Sequence, residues 1–192
     1  MISNVAQGVR SFTSNAFLVD GERTVLVDAG AGFDVVSAIR DRTDALDAVV
    51  LTHTHPDHVG NLSDVVAAFD APVYGFDVGQ QGVGRELGDE ETIRLGDHEY
   101  VALHTPGHKD DHLCLYAADP GILFAGDLIF QNGGFGRTDL EEGDREALIR
   151  SIDRVRERVD PGLRALHAGH GSSVENEPYS HVELAGKMAR QR

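Results

Sequence analysis

The stretch Thr52-His53-Thr54-His55-Pro56-Asp57-His58 follows directly on the apolar run Ala48-Val49-Val50-Leu51. Three histidines and one aspartate fall within six positions, and imidazole and carboxylate are the usual ligands of borderline divalent metals. A buried strand is expected to end near Leu51 and to deliver these side chains at its C-terminal edge. Extended residues alternate faces, so His53, His55 and Asp57 are expected to point the same way. Pro56 disfavours helical geometry at His55 and keeps that part of the loop open. Beyond the loop, Leu62, Val65, Val66 and Phe69 mark one face of a short helix. Without a bound cation, this cluster would carry mutual repulsion or a heavy desolvation cost, so it reads as a metal-binding loop.

Working outward, Asp20-Gly21 is a turn signal between the apolar runs 16–19 and 25–27, which predicts an antiparallel hairpin ending in Asp28-Ala29-Gly30. Phe33, Val35, Val36 and Ile39 mark a helix. After the metal loop, 72–75 reads as a short strand. The polar stretch 79–89, with four glycines, reads as a loop over the site. Segments 92–95 and 99–103 read as paired strands, 113–116 and 122–125 as two more, and 163–168 as the last. Asp144 is expected to cap a helix with the stripe Leu148, Ile149, Ile152, Val155 and Val159, which Pro161-Gly162 ends. A closing helix is expected over 182–188. Strands come first in groups and then alternate with helices, twice over. That predicts an α/β chain, one domain over residues 1–192, built of two similar halves with helices outside a pair of sheets.

Three further strand ends carry metal-type side chains beside small residues or proline: His108, Asp127 and His170. Glycine next to a ligand lets the backbone approach a shared point. His53, His55 and His108 would form a three-histidine site, and Asp57, His58 and His170 a second, with Asp127 placed to bridge them. Two adjacent metals can share a hydroxide, a nucleophile at neutral pH. His98, His104, His167 and His181 read as exposed or satisfied by ordinary hydrogen bonds. Cys114, the only cysteine, reads as a small buried apolar side chain, so a disulfide or thiolate cluster is not expected.

Composition limits the partners. The 17 Lys and Arg face 32 Asp and Glu, a formal net charge of −15, and only Lys109 and Lys187 are lysines. Such a surface argues against nucleic acid or an anionic membrane as partner. It suits a solubility adaptation to high salt, where self-repulsion is screened. Apolar runs fall short of a membrane helix, and the N-terminus lacks the features of a signal peptide, so a cytoplasmic location is expected.

His53-Thr54-His55-Pro56-Asp57-His58, Thr105-Pro106-Gly107-His108, Ala125-Gly126-Asp127 and Gly169-His170-Gly171, in this order, resemble the metallo-β-lactamase superfamily. Val27-Asp28-Ala29-Gly30 resembles its early aspartate motif. The resemblance implies a four-layer αββα sandwich with metals at one sheet edge. It further implies two divalent ions, zinc first with iron or manganese as alternatives, on all seven ligand positions. Asp57 and Asp127 would also orient the hydroxide, and Asp28 would hold a ligand or loop in place. Gly136-Arg137-Thr138-Asp139 looks like the glyoxalase II and persulfide dioxygenase branch, whose partners are small thiol-linked molecules. Arg137 would either touch substrate or hold its own loop by pairing with Asp139 or a backbone carbonyl. The leading expectation is hydrolysis of a thioester similar to S-lactoylglutathione. The alternative is a mononuclear-iron persulfide dioxygenase using His53, His108 and Asp127. The chain resembles the short form without a C-terminal helical extension. Lys109-Asp110-Asp111-His112 departs from the small or neutral residues usual after this histidine; Lys109 and His112 are expected to face solvent.

Overall fold

The computed structural model describes residues 1–191. The turn after Asp20 joins β2 (Phe17–Val19) to β3 (Val25–Val27) in antiparallel pairing, and β1 (Ile2–Asn4) pairs antiparallel with β2. α1 (Val35–Arg40) then crosses over to β4 (Ala48–Val50), which lies parallel to β3. α2 (Pro56–Val59) and α3 (Leu62–Phe69) make a second crossover to β5 (Val73–Gly75), also parallel. β6 (Arg85–Glu86) closes this sheet in the order β1-β2-β3-β4-β5-β6.

The second sheet contains β7 (Thr92–Leu95), β8 (His98–His104), β9 (Leu113–Ala117), β10 (Ile122–Gly126) and β11 (Ala165–Ala168), in the order β11-β10-β9-β8-β7. α4 (Arg145–Arg158) is the crossover that brings β11 parallel to β10, and α5 (Pro178–Ala189) follows. Asp144 caps α4 through a hydrogen bond its carboxylate accepts from the Ala147 amide at 2.9 Å.

Side-chain alternation sorts the core into layers. Leu18, Leu26 and Val49 face Val35, Ile39, Leu62 and Val65 of the first helical layer. Their strand neighbours Phe17, Val25, Val27 and Val50 face inward and meet Leu95, Tyr100, Leu113, Leu115 and Phe124 of the other sheet. On the far side Leu103, Cys114, Leu123 and Ala125 meet Leu148, Ile152 and Val155 of α4 and Val182 and Ala185 of α5. The result is the four-layer αββα sandwich the motifs implied. Cys114 is fully buried in the outer layer.

Two local expectations change. The 79–89 stretch is not all loop, because Arg85 and Glu86 pair with Tyr74 and Gly75 as an edge strand. Asp57 does not continue the extended alternation of His53 and His55. Pro56 sits at the first helical position of α2, where its fixed φ and missing N–H suit a helix start, so Asp57 and His58 turn off the strand direction. Among the described residues no helix is long and apolar enough to cross a membrane.

Candidate metal centre

The seven expected donors come together where β4, β8, β10 and β11 end. In one group, His55 Nδ1 lies 3.1 Å from His53 Nε2 and 2.9 Å from His108 Nε2. In the other, His170 Nε2 lies 3.0 Å from Asp57 Oδ2, and His58 Nε2 lies 4.0 Å from the same oxygen. Asp127 reaches both: one carboxylate oxygen is 3.4 Å from His58 Nε2, and the other is 3.4 Å from His108 Nε2 and from His170 Nε2.

Three of the imidazoles, those of His53, His58 and His108, are aimed by what their far nitrogen touches. His58 donates from Nδ1 to Asp28 Oδ2 at 2.9 Å, and Asp28 also accepts from the Thr52 amide and hydroxyl, both at 2.8 Å. The Thr52 hydroxyl in turn takes the Nδ1 proton of His53 at 3.2 Å. His108 donates from Nδ1 to the carbonyl oxygen of Arg137 at 2.8 Å. These bonds hold the Nδ1 proton of His53, His58 and His108 outward and turn Nε2 of each toward the centre. Close approach is made by glycine. A Cβ on Gly169 would overlap Asp127 Oδ1, and one on Gly136 would overlap the Asp127 carbonyl and stand 2.8 Å from the His108 ring.

The donor set fits divalent cations. His58 Nε2 and Asp127 Oδ1 are fully buried and lack a hydrogen-bond partner, although they face one another at 3.4 Å. Facing ring nitrogens at 2.9 and 3.1 Å are lone pairs of like sign unless a proton or a cation lies between them. Burial pushes His53 well below the ordinary imidazole range, with His58 and His112 adding to the effect. Burial and then His108 lower His55 to about 4. Those two are neutral and free to coordinate. In the second group burial opposes charge on His58, but Asp28 and Asp127 hold it up to about 10. Hydrogen bonds to Asp127 and Asp57 raise His170 to about 9. Burial also opposes the charge of Asp127, yet His170 and His58 keep it well below the usual carboxylate range. Cationic charge is thus what the carboxylate side of this site demands.

Two residues expected in solvent are inside. His112 is fully buried; its Nε2 accepts from the Asp127 amide at 3.0 Å, and its Nδ1 donates to Thr105 Oγ1 at 2.8 Å. Burial lowers it to about 3, which keeps it the neutral acceptor this bond requires. Lys109 is only 4% exposed, with Glu142 at 2.9 Å, Asp110 at 3.3 Å and Asp111 at 3.4 Å from its ammonium. Asp111 then accepts from Thr54 Oγ1 at 2.6 Å, so the charged run braces the residue between His53 and His55. The Arg137 guanidinium is exposed and pairs bidentately with Asp139 at 2.7 Å, so this residue meets the centre through its carbonyl.

Phe12 was not expected here. It is 81% exposed, and its ring stacks on His170 with centroids 5.7 Å apart and planes 22° from parallel. Phe130 approaches the same imidazole edge-on at 6.1 Å. Of the remaining histidines, His104 stacks on Phe76 and bonds the Asp110 carbonyl, and His167 bonds Ser173 Oγ at 2.7 Å. His181 accepts from the Asn132 amide, and His98 is exposed.

An αββα sandwich with two clustered donor groups at one edge defines a class. The metallo-beta-lactamase superfamily model matches residues 9–80 and 78–176, and the chain belongs to that superfamily. It is similar to the hydroxyacylglutathione hydrolase of Chromohalobacter salexigens, 33% identical over 171 residues. That match covers 88% of this chain and 65% of the relative, so the chain spans just under two thirds of that relative's length. Among solved structures, TTHA1623 in a di-iron-bound form is 30% identical, with a TM-score of 0.73 and 94% of each chain covered. ETHE1 from Myxococcus xanthus superposes with a TM-score of 0.75 at 22% identity, covering 93% of this chain and 86% of its own, a likeness of fold.

Proposed function

We propose that this protein is a binuclear metal-dependent hydrolase of thioesters formed between an acyl group and a small thiol. The observation that carries the reading is the shared carboxylate: Asp127 stands 3.4 Å from donors of both groups. His53, His55 and His108 would hold one ion and Asp57, His58 and His170 the other, with zinc the first choice and iron or manganese the alternatives. Bound there, two divalent ions supply a hydroxide at neutral pH and polarise the thioester carbonyl. In the reaction a C–O bond forms to the carbonyl carbon and the C–S bond breaks. The thiolate leaves and water's remaining proton goes to it.

The chain's own residues position and exclude. Asp57 or Asp127 would accept the single hydrogen of the nucleophile and so orient its lone pair. Asp28, Thr52 and the Arg137 carbonyl accept from Nδ1 of His58, His53 and His108 and turn Nε2 of each toward the centre. Phe12 offers an apolar face beside His170 against which substrate packs, sheltering the carbonyl from bulk water. Similarity to a hydroxyacylglutathione hydrolase supports an acyl-thiol substrate.

The test is turnover of S-lactoylglutathione and other acyl-thiols by metal-loaded protein, with metal counted per chain. The expected result is two ions per chain and thioester cleavage that Asp127→Ala and His53→Ala each reduce at least a hundredfold. One iron per chain with oxygen uptake on a glutathione persulfide would replace this reading by persulfide oxidation.

A further inference from the structure

We propose that the groove between α3 and the 79–84 segment receives the acyl chain of the substrate, so that the preferred thioesters are those of straight-chain apolar acids. This rests on the hydrolase reading and names its substrate class. The groove has a volume of about 970 Å³ and begins at the metal-binding loop, where Thr54 and Pro56, the two neighbours of His55, form one wall. Val59, Leu62, Val66 and Val73 continue it, and Gln80 and Gly82 stand opposite. None of its lining residues is charged, in a chain of which 26% of residues are.

The far wall is tied to the metal loop. The Gln80 side-chain amide lies 3.2 Å from Thr54 Oγ1. Gly82, at φ +91°, comes so close to α3 that a Cβ would stand 2.7 Å from Leu62 Cδ2. Val66, 36% exposed, shows its side chain to the groove rather than to the core. Of the two arms of a thioester, small biological thiols carry amides and carboxylates, and these would be stripped of water in such a lining without a charged partner. The acyl arm is the apolar one. The lining residues Thr54 and Pro56 flank His55 in the chain, and on this proposal a carbonyl held at the metal centre sends that arm down the groove.

The experiment uses N-acetylcysteamine thioesters, whose thiol arm is neutral and constant, from acetyl to octanoyl, with the zinc-loaded protein. kcat/KM should rise roughly fourfold per added methylene, the gain of burying that group. Val66→Asp should flatten the series, and Ala67→Leu, which fills the groove, should shorten the preferred chain. A flat wild-type series, or an unchanged slope in both variants, would overturn the groove and leave the hydrolase intact. Failure to cleave any thioester would overturn the hydrolase instead. The groove is then judged by amide shifts in the zinc-loaded protein titrated with non-hydrolysable 2-ketoalkyl thioethers. Shifts at Val66, Ala67 and Gly82 with the long analogue alone support it, and equal shifts with the short one sink it.

Discussion

Asp28 carries more of the centre than its distance from the reacting atoms suggests. It holds a left-handed backbone, φ 59°, which aspartate tolerates better than most residues. From there its carboxylate serves the Thr52 amide, the Thr52 hydroxyl and His58 Nδ1 at once. Asp28→Asn keeps the shape and removes the charge that holds the His58 proton outward. Affinity at the Asp57, His58 and His170 group should fall 10- to 100-fold in chelator competition, with the far-UV circular dichroism unchanged. Unaltered affinity would reduce Asp28 to a support for the backbone at Thr52. The seven candidate ligands could be picked out because each stands in a short motif at a strand end. The inward turn of Lys109 and His112 was not. Burying a lysine is costly unless carboxylates meet it; Asp111 is two residues away, but Glu142 reaches it only in the folded chain. Phe12 had no local signal either, since its partner His170 is remote in sequence.

At the scale of elements, β11 and the turn after it carry two histidines with opposite fates. His167 points into the inner layer, with ring centroids 5.0 Å from both Phe17 and Phe124, and His170 lies just beyond the strand in the metal group. Burial lowers His167 to about 4. Unfolded imidazole titrates near 6.5, so between these values the unfolded chain binds the extra proton and stability falls as pH falls. The full loss is about 3 kcal/mol by pH 4. Urea unfolding in the presence of chelator at pH 7.5 and 4.5 should therefore show a smaller drop for His167→Leu than for the parent chain. An equal drop in both would mean that His167 is already protonated when folded. Helix α4 was readable from its stripe and its Asp144 cap. β6 was not: both its residues are exposed, and two positions are too few to display alternation. Pro56 had two physical readings, strand continuation or helix start, and local sterics allow both.

For the whole molecule, the αββα arrangement was readable because grouped strands and alternating crossovers occur twice, each half with its own apolar stripes. Charge is the feature that fold does not explain. A formal −15 repels itself in the compact state. Several arginines offset it locally: Arg154 reaches Asp89 and Glu90, and Arg158 reaches Glu90. Such exposed pairs contribute little each. Raising potassium chloride from 0.05 M to about 2 M should raise the unfolding midpoint, because screening weakens the net repulsion more than these pairs. An unchanged or lower midpoint would mean that the acidic surface serves something other than tolerance of salt.

The donors of the centre are divided between the two sheets. His53, His55, Asp57 and His58 follow β4 of the first, and His108, Asp127 and His170 follow strands of the second. Neither half of the chain owns a complete set. The spacing of the two sheets, set by Phe17, Tyr100 and Phe124 between them, is therefore also the gauge of the candidate metal centre. A change of volume in that inner layer, far from any ligand, would be transmitted as a change in the gap that Asp127 has to span.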